Sequence, residues 1–282
     1  MKQKNKSVLV TVGPAALWLI MFVAIPMIFV LVISFLTQNI HGGVMFKASL
    51  SGYKSIFSSA NVSVFVKSFL IAVVTTIICL LLGYPFAAIL ASSKKKMKNA
   101  LQMSIMLPFW INSLILISGW EIILRDNGVI NTIFKALHIT TDTIKMMDTQ
   151  GAVIVGMVYT LFPFMVLPLY SSLEKLDKSV LEASSDLGAT PIRTFFKVIL
   201  PLTMPGIFAG SIQVLVPSLG YYFVADRLGG GKTLLIGNLI NNQFNGSSIN
   251  WPYGAAVSIV LIAITLILLK LYSKIGSVED LA

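Results

Sequence analysis

The chain has 282 residues, of which 56% are hydrophobic and only 11% are charged, and its mean hydropathy is +0.87. Soluble domains carry about 25% charged residues, so this composition excludes a cytosolic enzyme and a disordered chain. The single cysteine, Cys79, excludes a secreted domain that is held together by internal disulfides. The composition therefore predicts a membrane-embedded protein.

Long apolar segments recur along the whole chain. A helix needs about 20 apolar residues to cross the bilayer core. Segments of this kind lie at roughly 12–36, 64–91, 100–123, 150–172, 201–224 and 254–272. The first is too long for a signal peptide and has no small-residue cleavage site after it, so we expect it to remain as an anchor. The sequence thus predicts an all-α integral membrane protein with six transmembrane helices in one domain, 1–282.

The positive charges predict the orientation of these spans. Cytoplasmic loops of membrane proteins are enriched in lysine and arginine. If both termini are cytoplasmic, 13 of the 21 lysines and arginines lie on the cytoplasmic side, with Lys2, Lys4, Lys6 and the Lys94–Lys98 cluster among them. The formal net charge of +10 is then a topology signal. We expect a multi-pass membrane protein that is surrounded by lipid and does not bind nucleic acid.

Two further patterns concern the spans and the loops between them. Pro108 inside the third span predicts a bent helix, and Gly206 and Gly210 in the fifth span predict close packing against another helix of the chain. The segment 124–149 has apolar residues at helical spacing, which predicts an amphipathic helix along the outer membrane interface. These residues are Val129, Ile130, Ile133, Phe134 and Leu137.

The cytoplasmic segment 173–200 predicts a pair of short helices. Asp177 is a suitable N-cap for the first helix, and Gly188 is a suitable left-handed residue at its end. Val180, Leu181, Ser184 and Leu187 share one face of this helix, and Lys178, Glu182 and Asp186 share the opposite face.

The second helix of the pair begins with Thr190 as N-cap and Pro191 as the first helical residue. We expect it to end at Leu200, because Pro201 follows. An idle loop would not need two capped helices, so we interpret the pair as a docking element for a cytoplasmic partner.

The residues of this loop resemble the EAA signature of ABC-importer permeases. Glu182-Ala183-Ser184, Gly188 and Leu200-Pro201 follow that signature, while Ser184 replaces its second alanine and Val198 its isoleucine. The resemblance implies the ABC type I importer permease fold and a place in a bacterial inner membrane. It also implies that this loop is the coupling helix, which lies in a groove of the ATP-binding subunit. Glu182, Ala183, Asp186 and Gly188 would then be the residues that couple to the ATPase.

A narrower resemblance covers most of the chain from the third span onward. Six runs are similar to permeases of spermidine/putrescine importers: Leu107–Trp110, Pro168–Asp177, Pro201–Gly206, Gly229–Lys232, Leu235–Asn238 and Trp251–Ala256. This resemblance implies a second permease subunit, a homodimeric ATP-binding subunit and an extracytoplasmic polyamine-binding protein as partners. ATP and Mg²⁺ would be bound by the ATPase, so no cofactor is expected in this chain.

Acidic and aromatic residues occur together near the predicted outer ends of the spans. A polyamine is a flexible polycation, so its path needs carboxylates for charge and aromatic faces for cation–π contacts. An acidic residue near a span is also a functional candidate in its own right. The candidates for the substrate path are Glu121, Asp126 and Asp226, beside Trp110, Trp120, Tyr221 and Tyr222.

A structural role for these acids stays open. Glu121 and Arg125 have the i, i+4 spacing of a helical ion pair, and Asp226 precedes Arg227. If these pairs form, neither acid needs to contact substrate.

Other functions fit the sequence less well. An enzyme or a metal site would need a cluster of His, Cys or paired carboxylates, so we expect a transport subunit without catalytic or metal-binding residues. An ion-coupled secondary transporter would usually show an inverted repeat, which the sequence lacks. A permease for another small solute, such as a sugar or a metal ion, remains the closest alternative.

Overall fold

The computed structural model describes residues 12–39, 43–246 and 249–276. The helices in chain order are α1 (Val12–Ser34), α2 (Ser51–Ile56), α3 (Ser59–Ser92), α4 (Lys95–Trp110), α5 (Ser113–Leu124), α6 (Val129–Ala136), α7 (Gln150–Glu174), α8 (Lys178–Asp186), α9 (Pro191–Leu202), α10 (Met204–Gly220), α11 (Tyr222–Gly229), α12 (Ile236–Asn245) and α13 (Trp251–Gly276). A short hairpin pairs β1 (Thr37–Gln38) with antiparallel β2 (Val44–Met45). The predicted N-terminal charges Lys2, Lys4 and Lys6 lie outside the described residues.

Within the described residues, four helices are long and apolar enough to cross a membrane by themselves: α1, α3, α7 and α13. Two further stretches are long and apolar enough only when the helices on both sides of a bend are counted as one span. The chain turns by 99° between α4 and the segment Ser113–Ala136, and by 65° between α9 and α10. Counting each bent pair as one span gives six, the number that the sequence predicts.

The third predicted span breaks at a different place from the one expected. Pro108 was expected to bend it, but Pro108 lies inside α4 and the break falls at Ile111 and Asn112. The Asn112 side chain accepts a hydrogen bond from the Leu114 N–H at 2.8 Å. Asn112 therefore caps a new helix, and this local bond stabilises the break.

The break before the fifth span also differs from the prediction. A π turn covers Phe195–Ile199, and the Leu200 N–H donates to the carbonyl of Phe195. The helix continues past Pro201 as far as Leu202 instead of ending at Leu200. The π turn, in which each N–H bonds the carbonyl five residues earlier, precedes Pro201, and the bend lies at Thr203 between α9 and α10.

The amphipathic helix predicted in segment 124–149 is present as α6. Val129 and Ile133 are exposed on it, whereas Asn131 is buried. The Asn131 side chain donates to the Ile144 carbonyl at 2.9 Å and accepts the Ile144 N–H at 3.0 Å. These two bonds fix the loop that follows α6, while the position of α6 at the outer interface stays a prediction.

Contacts divide the chain into two compact units, so the expected single domain 1–282 stays a prediction. The first unit contains the described residues up to Val62 together with Leu239–Ile264. In it, the Ser34 and Tyr53 hydroxyls share a 2.8 Å hydrogen bond. Gly52 lies so close to α13 that an added Cβ would be 3.3 Å from the Ala256 Cβ.

The second unit contains Ser63–Asn238 and the described residues from Thr265 onward. It has two apolar cores, and α7 contributes to both. One core joins α7 to α5 and α11 through buried side chains such as Met157, Ile117 and Leu228. The other joins α7 to α3 through Met165 and Cys79. Helix α7 is thus the central helix of this unit.

Close packing of α10 on α7 depends on two glycines, as the sequence predicts. A Cβ on Gly206 would lie 2.8 Å from the Pro168 carbonyl oxygen. A Cβ on Gly210 would lie 3.0 Å from the Met165 carbonyl oxygen. The two backbones therefore approach more closely than any larger residue would permit.

We predict that Gly206→Ala destabilises the protein by roughly 1–3 kcal/mol, because the added methyl group forces α10 away from α7. Thermal unfolding of the purified protein measures the effect. Gly119→Ala is the matched control, because nothing lies within 4 Å of its added Cβ. Alanine favours a helix over glycine by about 1 kcal/mol, so the control should be neutral or stabilising. Equal melting temperatures for the two variants would contradict the packing.

Candidate functional sites

The helix pair α8–α9 forms as predicted from its capping residues. The Asp177 carboxylate accepts the Ser179 N–H at 3.0 Å, and this bond lowers the pKa of Asp177. Gly188 has φ +76° after the end of α8, a conformation that glycine adopts without steric cost. The Thr190 side chain then accepts the Arg193 N–H at 3.4 Å, and Pro191 begins α9.

A buried hydrogen bond joins the two helices. The Ser184 and Thr194 hydroxyls lie 2.9 Å apart, and both residues are buried. Ser184 is the position at which the sequence departs from the Glu-Ala-Ala signature. The departure has a structural reason, because the serine hydroxyl is the partner of Thr194.

The four predicted coupling residues stand on the exposed side of this pair. Glu182, Ala183, Asp186 and Gly188 are all exposed. The face predicted to be apolar is only partly covered, since Ser184 is buried but Leu187 is 88% exposed.

Next to these residues lies a shallow groove. It is lined by Val180, Ala183, Ser184, Leu187, Arg193 and Val198, among others. The pair therefore presents an uncovered surface with apolar, acidic and basic groups, which suits contact with another protein.

Glu121 is paired, but with a different arginine from the one its spacing predicts. Its carboxylate lies 3.6 Å from Nη1 of Arg227 on α11. The expected partner, Arg125, lies beyond the end of α5 and has an extended ψ of 158°. The i, i+4 pairing applies only within a continuous helix, so the end of α5 at Leu124 removes it.

The other predicted path residues are spread over several elements. Trp110 is exposed at the end of α4, while Tyr221 and Tyr222 lie at the break between α10 and α11. Asp226 is exposed on α11 and forms no ion pair within the part of the chain that the structure describes. The structure thus brings Asp226 and Tyr222 onto the helix of Arg227, and leaves Trp110 on a separate helix.

Trp120, the residue before Glu121, lines a cavity of about 510 Å³. Trp120 contacts Tyr159 edge-on, with 5.5 Å between the ring centroids. The remaining lining is mostly apolar and comes from α3, α4 and α7, for example Phe86, Pro108 and Phe162. The sequence did not indicate this cavity, because its lining residues are far apart along the chain. Asp126 lines a separate, more polar cavity with Arg125 and Lys145.

An ion pair that the sequence did not indicate links the start of α4 to the end of α7. Lys98 forms an ion pair with Glu174, and its ammonium lies 5.0 Å from the centroid of the Tyr170 ring. No local spacing rule connects these residues, so only the fold reveals the pair.

We predict that Ser184→Ala lowers stability by about 1–3 kcal/mol, because it leaves the Thr194 hydroxyl buried without its partner. Thr194→Val should cost a similar amount. If the bond is real, the double variant costs clearly less than the sum of the two single variants. Thermal unfolding of all three variants measures this coupling, and additive losses would contradict the bond.

Known proteins resemble this chain over nearly its whole length. It is 45% identical over 270 residues to the spermidine/putrescine transport system permease protein PotB of Haemophilus influenzae. The aligned residues cover 96% of this chain and 94% of the relative. It is 44% identical over 255 residues to PotB of Escherichia coli K12, covering 90% and 92% of the two chains. The inner membrane ABC transporter permease protein YdcU of the same strain is 32% identical over 83% of this chain and 78% of its own.

Solved structures and a family model agree with the fold. A subunit of a bacterial alginate ABC transporter, solved in complex with its alginate pentasaccharide-bound periplasmic protein, superposes with a TM-score of 0.78. It is 14% identical, with 96% of this chain and 93% of that chain covered. Residues 83–273 match the model for the binding-protein-dependent transport system inner membrane component. The chain therefore belongs to this family of ABC-importer permeases and is a multi-pass inner-membrane protein with their fold.

Proposed function

We propose that this chain is a transmembrane permease subunit of an ATP-driven importer for the polyamines spermidine and putrescine. The similarity to PotB carries this proposal, because 45% identity extends over 96% of the chain. The two carboxylates on α5 and α11 suit a cationic substrate, since an acidic group near a membrane span offers a partner for its charge.

The proposed importer contains several other subunits. A second permease subunit completes the translocation path, and an extracytoplasmic polyamine-binding protein delivers the substrate. A homodimeric ATP-binding subunit binds ATP and Mg²⁺ and hydrolyses the nucleotide, so this chain needs no cofactor. Both termini lie in the cytoplasm, which directs the helix pair α8–α9 toward the ATP-binding subunit.

The helix pair is the proposed coupling element, with Glu182, Ala183, Asp186 and Gly188 at the contact with the ATPase. A displacement of α8 passes to α9 through the Ser184–Thr194 hydrogen bond. From α9 it reaches α10 across the bend at Thr203. Closure of the ATP-binding subunits thereby moves a helix that packs directly on α7.

The proposed substrate path contains Glu121 and Asp226 as carboxylates and Trp110, Tyr221 and Tyr222 as aromatic residues. Carboxylates attract the ammonium groups of a polyamine, and aromatic faces bind them through cation–π contacts of about 0.5–2 kcal/mol each. Asp226 is exposed and therefore more accessible to the substrate than Glu121, whose side chain is only 14% exposed.

Uptake of labelled spermidine and putrescine in a strain that lacks this gene tests the function. The wild-type gene should restore uptake, whereas Asp226→Asn should reduce it without changing the amount of assembled complex. Restored uptake of a sugar or a metal ion instead of a polyamine would overturn the proposed substrate.

We predict that Glu182→Lys uncouples ATP hydrolysis from uptake by reversing a charge at the proposed ATPase contact. The ATP-binding subunit should be lost during purification of the complex, and uptake should fall at least about tenfold if the contact contributes some 1.4 kcal/mol or more. Asp142→Lys makes the same charge change on the exposed loop after α6, and it should leave the ATP-binding subunit attached. Equal retention of that subunit in both variants would contradict the coupling role.

A further inference from the structure

The Glu121–Arg227 pair has an unusual balance of burial and distance. The Glu121 side chain is only 14% exposed, whereas that of Arg227 is 44% exposed. Their closest atoms lie 3.6 Å apart, beyond the distance of about 2.7–2.9 Å that is typical of a charge-assisted hydrogen bond. The carboxylate is thus mostly withdrawn from water, and its arginine is held only loosely.

Arg227 has a second favourable contact in the same conformation. Its guanidinium carbon lies 5.8 Å from the centroid of the Phe223 ring on the same helix, within the range of a cation–π contact. An arginine that moves off Glu121 therefore retains a favourable partner, and its exposed position leaves room for the movement.

The Glu121 carboxylate is more stable with a cation beside it than without one, because its side chain has little access to water. In the described part of the chain, Arg227 is the only cation within 4 Å of this carboxylate. A primary ammonium group of a polyamine carries the same charge and donates to the same oxygens. It can therefore replace the guanidinium without leaving the carboxylate uncompensated.

We propose that Glu121 is a cation-exchange site, at which a polyamine ammonium displaces Arg227 and Arg227 returns as the substrate moves on. This inference rests on the proposed polyamine function. Because one cation leaves as the other arrives, neither binding nor release exposes an unpaired carboxylate. Arg227 thus weakens binding and accelerates release.

Spermidine uptake by the complete importer in proteoliposomes, with its binding protein present, tests this exchange. Arg227→Gln should lower KM about three- to fivefold, the range expected from losing the competition of a partly exposed ion pair. It should also lower Vmax, because release then leaves the carboxylate unpaired. Arg227→Lys keeps the competing charge and should resemble the wild type.

Two further variants make the test specific. Glu121→Gln should raise KM, and the double variant with Arg227→Gln should behave like Glu121→Gln alone, since the arginine acts only through this carboxylate. Arg125→Gln is the matched control. Arg125 bonds Glu121 only through its backbone N–H, which donates to the Glu121 carbonyl at 3.1 Å and is kept in the variant, so both constants should stay unchanged.

Several results would overturn the exchange. An unchanged or raised KM in Arg227→Gln would do so, as would a loss of assembled complex with normal KM in the remainder, which marks a purely structural pair. Failure of the proposed function is distinguishable, because the wild-type importer would then take up no polyamine at all.

Discussion

Backbone N–H and C=O groups inside a bilayer have no water to bond with, so each interruption of a helix must supply its own hydrogen-bonding partners. The breaks in this chain follow that constraint. At the first, the Asn112 side chain bonds a free N–H of α5. At the second, the Thr203 N–H donates to the Ile199 carbonyl at 3.0 Å, so the last turn of α9 keeps its backbone hydrogen bond. The Thr203 hydroxyl donates to the same carbonyl at 2.9 Å and shares a 2.9 Å hydrogen bond with Tyr84. A side chain that hydrogen-bonds the backbone thus stands at each bend.

The same constraint explains which predictions from the sequence were correct. The caps of α8 and α9 were predicted from Asp177, Gly188 and Thr190, because a cap is a contact between residues only two or three positions apart. The bends were misplaced because proline was treated as the site of the break. Pro108 and Pro201 both lie inside helices, and the chain turns a few residues later, at Asn112 and at Thr203.

Contacts between segments that are far apart in the chain could not be predicted from the sequence. The spacing of Glu121 and Arg125 favoured an ion pair that requires α5 to continue, but α5 ends at Leu124. The arginine that replaces Arg125 belongs to α11, and no periodicity connects the two helices. The apolar membrane helices, the helix pair and the glycine contact were therefore predictable, whereas the partner of Glu121 and the cavity beside Trp120 were not.

The hydrogen bond between Ser184 and Thr194 has a consequence for exchanging loops between importers. The two residues belong to different helices, and each hydroxyl is buried against the other. A chimaera that takes α8 from a permease with the signature alanine, but keeps α9 from this chain, inherits half of the bond. Positions 184 and 194 therefore form one transferable unit, and the boundary of a functional graft lies after Thr194 and not at the turn around Gly188.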